Sequence, residues 1–153
     1  MTPDSPSVPP EKQAQQVLET TDTCTLATAS ADGRPEAATV RFVADDALDV
    51  YITTESMYQK YRNMSENPRV ALVVDGDANL QLKGAATEVH GEAVDPIERR
   101  YVEKYGHSEY LTNEASVFFE IATDWARLLV DGRYPPTFEM VLGDGDADPH
   151  GTV

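Results

Sequence analysis

The chain has 153 residues, a length typical of one domain that buries roughly 68–70% of the surface of its unfolded chain and needs no disulfide or structural metal to hold a core. Hydrophobic residues (41%) and charged residues (25%) are close to globular averages, but 27 Asp and Glu against 12 Lys and Arg leave a formal net charge of −15. Because this excess of acid repels phosphate backbones and anionic lipid, we expect neither a nucleic-acid partner nor a membrane-surface partner.

The composition also bears on where the protein works. No run of about 18 apolar residues is present, and the first residues, MTPDSPSVPP, lack the charged start and apolar stretch of a secretory signal. The single cysteine, Cys24, excludes an internal disulfide framework and fits a reducing compartment. We therefore expect a cytoplasmic protein with no membrane span. The acid excess is open to two interpretations, solubility alone or adaptation to high salt, and we favour the second because lysine is scarce and acids occur along the whole chain.

The two ends of the chain differ from its middle. Residues 1–9 hold three of the ten prolines together with Ser, Thr and Asp, and this predicts a disordered lead. Residues 143–153, GDGDADPHGTV, have no apolar period and predict an acidic, disordered tail. The folded domain is therefore predicted over residues 10–142.

The first half of this domain predicts two helices and three strands. EKQAQQVLET, at 11–20, places Ala14, Val17 and Leu18 on one helical face. Ser56 can cap a second helix, which ends before Pro68. Alternating residues predict three strands between the two helices, over 24–29, 37–43 and 48–53. Turn residues, Asp32-Gly33 and Asp45-Asp46, separate these strands.

The second half predicts more strands and one further helix. Asp95-Pro96 with Glu98 is typical of a helix start, and that helix ends at Gly106. Gly84 and Gly91 are expected to bend or bulge the strand region in which they lie. The strand regions are 69–74, 80–94, 117–130 and 137–142. Six or so strands with inserted helices predict a mainly β fold, a barrel or sandwich with peripheral helices.

Motifs for most kinds of catalysis are absent from the sequence. The histidines, His90, His107 and His150, share no metal-ligand spacing, so no metal site is expected. No GxSxG, Walker loop or GxGxxG occurs, which removes the usual signatures of hydrolases, NTPases and dinucleotide-binding enzymes.

The few positive charges are concentrated around one strand–turn–helix segment. Five of the twelve lie there: Arg34, Arg41, Lys60, Arg62 and Arg69. The same segment carries three hydroxyl residues, Thr53, Thr54 and Ser56. A helix N-terminus with neighbouring hydroxyls and cations is what a phosphate monoester requires. The alternative is that these cations are solvated or paired with the abundant acids.

The order of these pieces resembles a known family. TLATASADGRPEAATVRFV, then LDVYITTESMYQKYRNMSENPRVALVV, then LQLKGAATEV is similar to the pyridoxamine 5′-phosphate oxidase-like flavin-binding split barrels. In that family a strand reading LAT precedes DGRP, a Thr/Ser-rich turn, and a Lys-bearing helix ending in NPRVAL. The similarity spans about residues 24–94, and more loosely 96–105 and 117–130. It implies a six-stranded split β-barrel.

The resemblance also implies which strand lines the flavin. Arg41 and Phe42 match that strand, with Thr39 and Val40 beside them. Gln81 matches a residue that the partner subunit contributes near the flavin ring, because family members form homodimers with the cofactor at the interface. A homodimer is therefore expected.

A second set of residues matches the phosphate end of the cofactor. Thr53 and Thr54 correspond to the turn whose hydroxyl touches the phosphate. Gln59 and Lys60 correspond to a pair that is commonly two basic residues, and only Lys60 keeps the charge. The phosphate would then be held by Lys60 with Arg62 or with the arginine of the flavin strand.

The function implied is that of an FMN-dependent oxidoreductase acting on a small substrate that the sequence does not identify, with no residue assigned to catalysis. The alternatives are a deazaflavin-dependent reductase, a non-enzymatic flavin- or haem-binding stress or redox protein, and an empty barrel dimer. Haem would need an axial ligand, for which His90 or His107 is available. Pyridoxamine 5′-phosphate oxidation itself is not expected, because the family's Trp- and Arg-containing C-terminal clamp is replaced by an acidic end, and Trp125 is interpreted as a packing residue.

Overall fold

The computed structural model describes residues 8–107, 111 and 113–143. The predicted lead at 1–9 and tail at 143–153 lie, apart from residues 8, 9 and 143, outside the described residues. The helices are α1 (Pro10–Thr20), α2 (Gln59–Glu66) and α3 (Val94–Tyr105). The strands are β1 (Thr23–Ala29), β2 (Pro35–Ala44), β3 (Val50–Glu55), β4 (Arg69–Asp75), β5 (Asn79–Val89), β6 (Ser116–Asp131) and β7 (Thr137–Leu142).

The strands form one antiparallel sheet that closes on itself. Their order is β3-β2-β1-β4-β5-β6-β7, and β3 also pairs with β6, from Val50 opposite Ile121 to Glu55 opposite Ser116. This second pairing closes six strands into a barrel, so that each of them pairs with a neighbour on both sides. β7 pairs with β6 outside the closed ring. The predicted six-stranded split barrel with peripheral helices is confirmed, and the final strand predicted over 137–142 is β7, outside the closed ring.

The barrel interior is filled by alternate residues of the strands, as a two-residue period requires. The largest fully buried side chains include Phe42, Ile52, Leu72, Leu82 and Phe119. α1 packs on the barrel through the predicted face, since Ala14, Val17 and Leu18 are all buried. No helix within the described ranges is long and apolar enough to cross a membrane.

Gly84 lies where two long strands cross closely. The register of β5 and β6 shifts between Lys83 and Gly84, which is the expected bulge. A Cβ at Gly84 would lie 2.4 Å from the backbone oxygen of Ala122, so only glycine permits this approach. The predicted strand over 80–94 is too long, however. β5 ends at Val89, because Gly91 adopts a left-handed φ of +66° and begins a short 3-10 turn before α3.

Two predicted helix caps are wrong. The residue at the cap position of α2 is Tyr58 rather than Ser56, because the preceding residues form a turn in which the Tyr58 N–H donates to the carbonyl of Glu55 at 3.1 Å. α3 begins at Val94, so Asp95 lies within its first turn, and neither helix has a side-chain cap bond. The predicted end of α3 at Gly106 is correct; this residue has a φ of +81°.

Candidate functional site

The barrel is split where β2 and β3 part. Their pairing runs only from Phe42 opposite Ile52 to Ala44 opposite Val50. Towards the N-terminal end of β2 that strand pairs with β1, whereas the end of β3 pairs with β6. The diverging strands leave a cavity of about 400 Å³, here called the split cavity.

The split cavity is lined by residues from four parts of the chain. They are Thr39, Val40 and Arg41 from β2, Thr53 from β3, Tyr58 and Lys60 at the start of α2, and Tyr101, Tyr105, Gly106 and Leu111 at and beyond the end of α3. Five of the ten residues predicted from sequence are therefore brought together: Thr39, Val40, Arg41, Thr53 and Lys60. The Thr53 hydroxyl also lies 3.1 Å from the carbonyl oxygen of Val117, to which it donates.

Two other predicted residues point into the protein. The Phe42 side chain is fully buried in the barrel core, so only its backbone lies near the cavity. Thr54 is buried as well, and its hydroxyl lies 3.4 Å from the carbonyl oxygen of Glu55. Both orientations follow from strand alternation. Phe42 and Thr54 each come directly after a residue that lines the cavity, so their side chains point to the opposite side of the strand, which is the core.

The two remaining predicted residues of α2 also lie outside the lining of the cavity. Gln59 donates a 2.9 Å hydrogen bond from its side-chain amide to Oδ1 of the buried Asn63. Arg62 is exposed on α2. Of Gln59, Lys60 and Arg62, only Lys60 lines the cavity.

Gln81 lies on the outer surface of the sheet. Its Oε1 accepts hydrogen bonds from Nη2 of Arg127 at 2.8 Å and from Nε at 3.1 Å. Trp125 is partly buried on β6, with the Lys83 ammonium 4.3 Å from its ring centroid, in keeping with a packing role.

The contribution of α3 to the split cavity was not predicted from the sequence. Its face of Ile97, Tyr101 and Tyr105 was visible as a helical period, but the period alone indicates only burial. The Tyr101 hydroxyl bridges β2 and β3, lying 3.2 Å from the carbonyl oxygens of both Arg41 and Tyr51. Burial raises the pKa of Tyr101 well above its usual range, so this phenol stays protonated and can donate.

Tyr105 binds the backbone of β2 one residue further on. Its hydroxyl accepts a 3.1 Å hydrogen bond from the N–H of Phe42, and its own proton has two carbonyl acceptors, Phe42 at 2.6 Å and Asp22 at 2.8 Å. Burial raises the pKa of Tyr105 to about 12. The neighbouring Lys104 donates to the carbonyls of Leu18 at 3.0 Å and Phe42 at 3.1 Å, and burial lowers its pKa to about 8.

The split cavity has a positive lining. The guanidinium carbon of Arg41 lies 5.0 Å from the centroid of the Tyr105 ring, and the Lys60 ammonium lies 4.4 Å from that of Tyr58. Within residues 8–107, 111 and 113–143, neither cation forms a salt bridge. The lining that the structure describes contains no Asp or Glu. It therefore suits an anionic ligand.

Other candidate groups lie elsewhere or are inert. His90 is exposed, with Nε2 3.5 Å from Oε2 of Glu88, and the exposed His107 follows the cavity residue Gly106. Cys24 is a buried free thiol whose pKa is raised to about 12 by burial, which suppresses the reactive thiolate. Among the described residues, no three His, Cys, Asp or Glu side chains are placed to hold a metal ion.

A family model described as pyridoxamine 5′-phosphate oxidase matches residues 10–129. The chain belongs to the pyridoxamine 5′-phosphate oxidase family. The match covers α1 and the strands from β1 to most of β6, and so includes every described residue of the split cavity. Comparison with curated proteins gave no match.

Solved structures share the fold of this family member at low sequence identity. A heme binding protein from Mycobacterium smegmatis has a TM-score of 0.74 and 16% identity over 90% of this chain, which spans 60% of that protein. HutZ, the heme storage protein from Vibrio cholerae, has a TM-score of 0.65 and 18% identity over 74% of this chain and 89% of its own. An F420 reductase has a TM-score of 0.60 and 22% identity, covering 73% and 94%. These likenesses establish the fold alone.

Proposed function

We propose that the split cavity binds the phosphate end of FMN and that the protein is an FMN-dependent oxidoreductase acting on a small substrate. The observation that carries the proposal is the charge of the cavity. Arg41 and Lys60 line it, and none of the lining residues that the structure describes is a carboxylate, in a chain of net charge −15. Three other cavities of the protein each include at least one Asp or Glu. An anion is therefore favoured in the split cavity alone among these four.

The start of α2 supports the same ligand. The first N–H groups of a helix have no partner within the helix and carry a partial positive charge. The Tyr61 N–H donates to the Tyr58 carbonyl at 3.1 Å, but α2 has no side-chain cap and no acid in its first turn. Lys60, in that first turn, adds a full charge beside the N–H groups, and such an arrangement binds phosphate groups.

The rest of the lining suits a flat aromatic ligand. Tyr58, Tyr101 and Tyr105 contribute rings, and Val40 and Leu111 contribute apolar surface. A cavity of about 400 Å³ lies within the range of roughly 300–1,000 Å³ that is usual for small-molecule sites. When bound, a flavin supplies the electron and hydride transfer, whereas the protein binds and orients it. Arg41 and Lys60 would hold the phosphate, with the Thr39 and Thr53 hydroxyls beside them.

We also propose that the protein is a homodimer. A row of directly paired residues crosses the outer sheet surface from the cavity strand to Gln81, and we call it the outer strip: Thr39, Thr25, Val73, Gln81 and Arg127. The strip contains no acid, and 38% of Val73 is exposed. A two-fold contact through such a surface is self-complementary and would bring Gln81 of one copy towards the cavity of the other.

Two alternative ligands remain competing hypotheses. The likeness to an F420 reductase is compatible with a deazaflavin, and the likeness to heme-binding proteins is compatible with haem. Haem is less well supported, because the described lining of the split cavity contains no His, Cys or Met to serve as an axial ligand. We further propose a cytoplasmic location, which suits a single buried thiol.

An absorbance spectrum and a ligand titration test the proposal. The purified protein, in dilute buffer and in molar salt, is expected to show the two visible bands of an oxidised flavin or to acquire them on addition of FMN. A single deazaflavin band or a haem Soret band would favour the corresponding alternative. Riboflavin, which lacks the phosphate, is expected to bind at least about tenfold more weakly than FMN, or about 1.4 kcal/mol. Equal affinities would overturn the assignment of the phosphate to this cavity.

A further inference from the structure

The last turn of α3 contacts Arg41 in three places. The Tyr101 hydroxyl lies 3.2 Å from the Arg41 carbonyl oxygen. The Tyr105 hydroxyl accepts from the N–H of the peptide that follows Arg41, at 3.1 Å. The Tyr105 ring lies beneath the guanidinium, 5.0 Å from its carbon. Backbone and side chain of Arg41 are thus both held by one helix turn that is distant in sequence.

The sequence of α3 explains why both tyrosines reach β2. Residues four apart lie on the same helix face, and the two rings are 5.6 Å apart. The half-buried ammonium of Lys104, which donates to the carbonyls of Leu18 and Phe42, connects the same turn to α1 and β2. Gly106 then ends the helix at the wall of the split cavity. The position of the Tyr105 ring is therefore fixed by several backbone contacts.

An exposed arginine side chain otherwise samples many rotamers, and a ligand that binds it must order it. A guanidinium stacked on an aromatic face is restricted in advance, because the ring attracts the cation and leaves the N–H groups at its edge free to donate. Arg41 is exposed and forms no salt bridge among the described residues, so within that part of the chain the Tyr105 ring is the group that orients its charge.

We propose that Tyr105 is a positioning residue that holds the Arg41 guanidinium over the split cavity and thereby sets the preference of the site for phosphate-bearing ligands. This inference rests on the proposed function, because it takes the phosphate of FMN as the group that Arg41 meets. Tyr105 itself makes no bond to the phosphate in this scheme. Its ring sets the direction of the Arg41 side chain, and its hydroxyl fixes the peptide between Arg41 and Phe42.

The test is the ratio of the riboflavin dissociation constant to the FMN dissociation constant, measured by flavin fluorescence. Tyr105→Leu removes the ring and is expected to lower this ratio at least about tenfold, or about 1.4 kcal/mol. Tyr105→Phe keeps the ring and is the matched control, expected to retain most of the preference. Arg41→Gln is expected to abolish the contribution of this cation, so that Tyr105→Leu lowers the ratio no further in the Arg41→Gln background.

The outcomes separate a positioning role from a purely structural one. If Tyr105→Leu weakens FMN and riboflavin equally, or lowers the ratio as much without Arg41 as with it, the inference is overturned. If the wild type itself does not prefer FMN, the proposed function fails, and this inference fails with it. Should Tyr105→Leu not fold, the wild type still provides a test by NMR. The side-chain protons of Arg41 are expected to show the upfield ring-current shift of a group over an aromatic face, and unshifted protons would contradict the proposal.

Discussion

The side-chain amide of Asn63 donates a 3.0 Å hydrogen bond to the Thr28 hydroxyl, and both side chains are buried. The other end of the Asn63 side chain accepts from Gln59. This chain of three polar groups attaches α2 to β1. It explains why the side-chain amide of the exposed Gln59, predicted to meet a phosphate, is bonded to Asn63 instead, and it fixes the helix turn that carries Lys60.

Replacing Asn63 is expected to destabilise the fold. Asn63→Leu leaves the buried Thr28 hydroxyl and the Gln59 amide without this partner, at a cost of about 1–3 kcal/mol in the free energy of unfolding. Urea denaturation measures the loss. Ser65→Ala, on the exposed side of the same helix, is the control and is expected to change stability by no more than about 0.5 kcal/mol. An Asn63→Leu midpoint equal to that of the wild type would show that the network contributes nothing.

Reversing the charge of Lys60 is expected to weaken FMN binding at least about tenfold, or about 1.4 kcal/mol. The change removes one of the two cations of the split cavity and adds repulsion towards a phosphate. Fluorescence titration provides the affinity. Lys12→Glu makes the same charge change on the exposed surface of α1 and controls for the net charge of the protein. If both variants lose affinity equally, Lys60 has no local role.

The Gly84 position is expected to reject even a methyl group. In Gly84→Ala the new Cβ would meet the Ala122 backbone oxygen at 2.4 Å and the carbonyl carbon at 2.9 Å, and two backbones cannot yield as a flexible side chain can. Overpacking of this kind costs about 1–3 kcal/mol. Gly132→Ala, where the nearest atom is 3.9 Å away, is the matched control. Thermal unfolding of the two variants should therefore differ, and equal midpoints would argue against the close approach.

Stability is expected to fall at alkaline pH through Cys24. Burial raises its pKa from 9.0 to about 12 in the folded protein. Below about pH 9 the thiol is protonated in both states and its contribution is complete; above that the unfolded chain releases the proton first, so stability is lost as pH rises towards 12. The difference in denaturation midpoint between wild type and Cys24→Ala, followed from about pH 8 to about pH 10, isolates this effect. A difference that does not change with pH would contradict it.

Charge placed in the outer strip is expected to separate the proposed dimer. Val73→Glu would set two carboxylates near the two-fold axis of a self-complementary contact, where like charges repel. Light scattering should then report a dimer for the wild type and a monomer for the variant. Val8→Glu, at an exposed position before α1, is the control. A wild type that is monomeric while it binds flavin would exclude a shared site.

Much of the fold was accessible from sequence, because local patterns determine it. Strand alternation and turn residues predicted β1 and β2, and the glycine at 84 predicted the bulge. Arg41 and Lys60 were identifiable because cations are rare in this chain. What could not be predicted depends on pairs far apart in sequence: hydroxyls of α3 bind β2 backbone groups about sixty residues away, as in the pair Tyr101 and Arg41. Periodicity indicates that such a tyrosine is buried but not which carbonyl it meets.

A cationic cavity inside a strongly anionic molecule affects how fast a ligand arrives. At an ionic strength of about 0.1 M the Debye length is about 10 Å, so the surrounding acids repel an incoming phosphate monoester before it senses Arg41 or Lys60. At about 1 M it contracts to about 3 Å, and the distant acids are hidden while the short contacts inside the cavity persist. The encounter rate should therefore rise with ionic strength, the reverse of the slowing seen when opposite charges steer two molecules together.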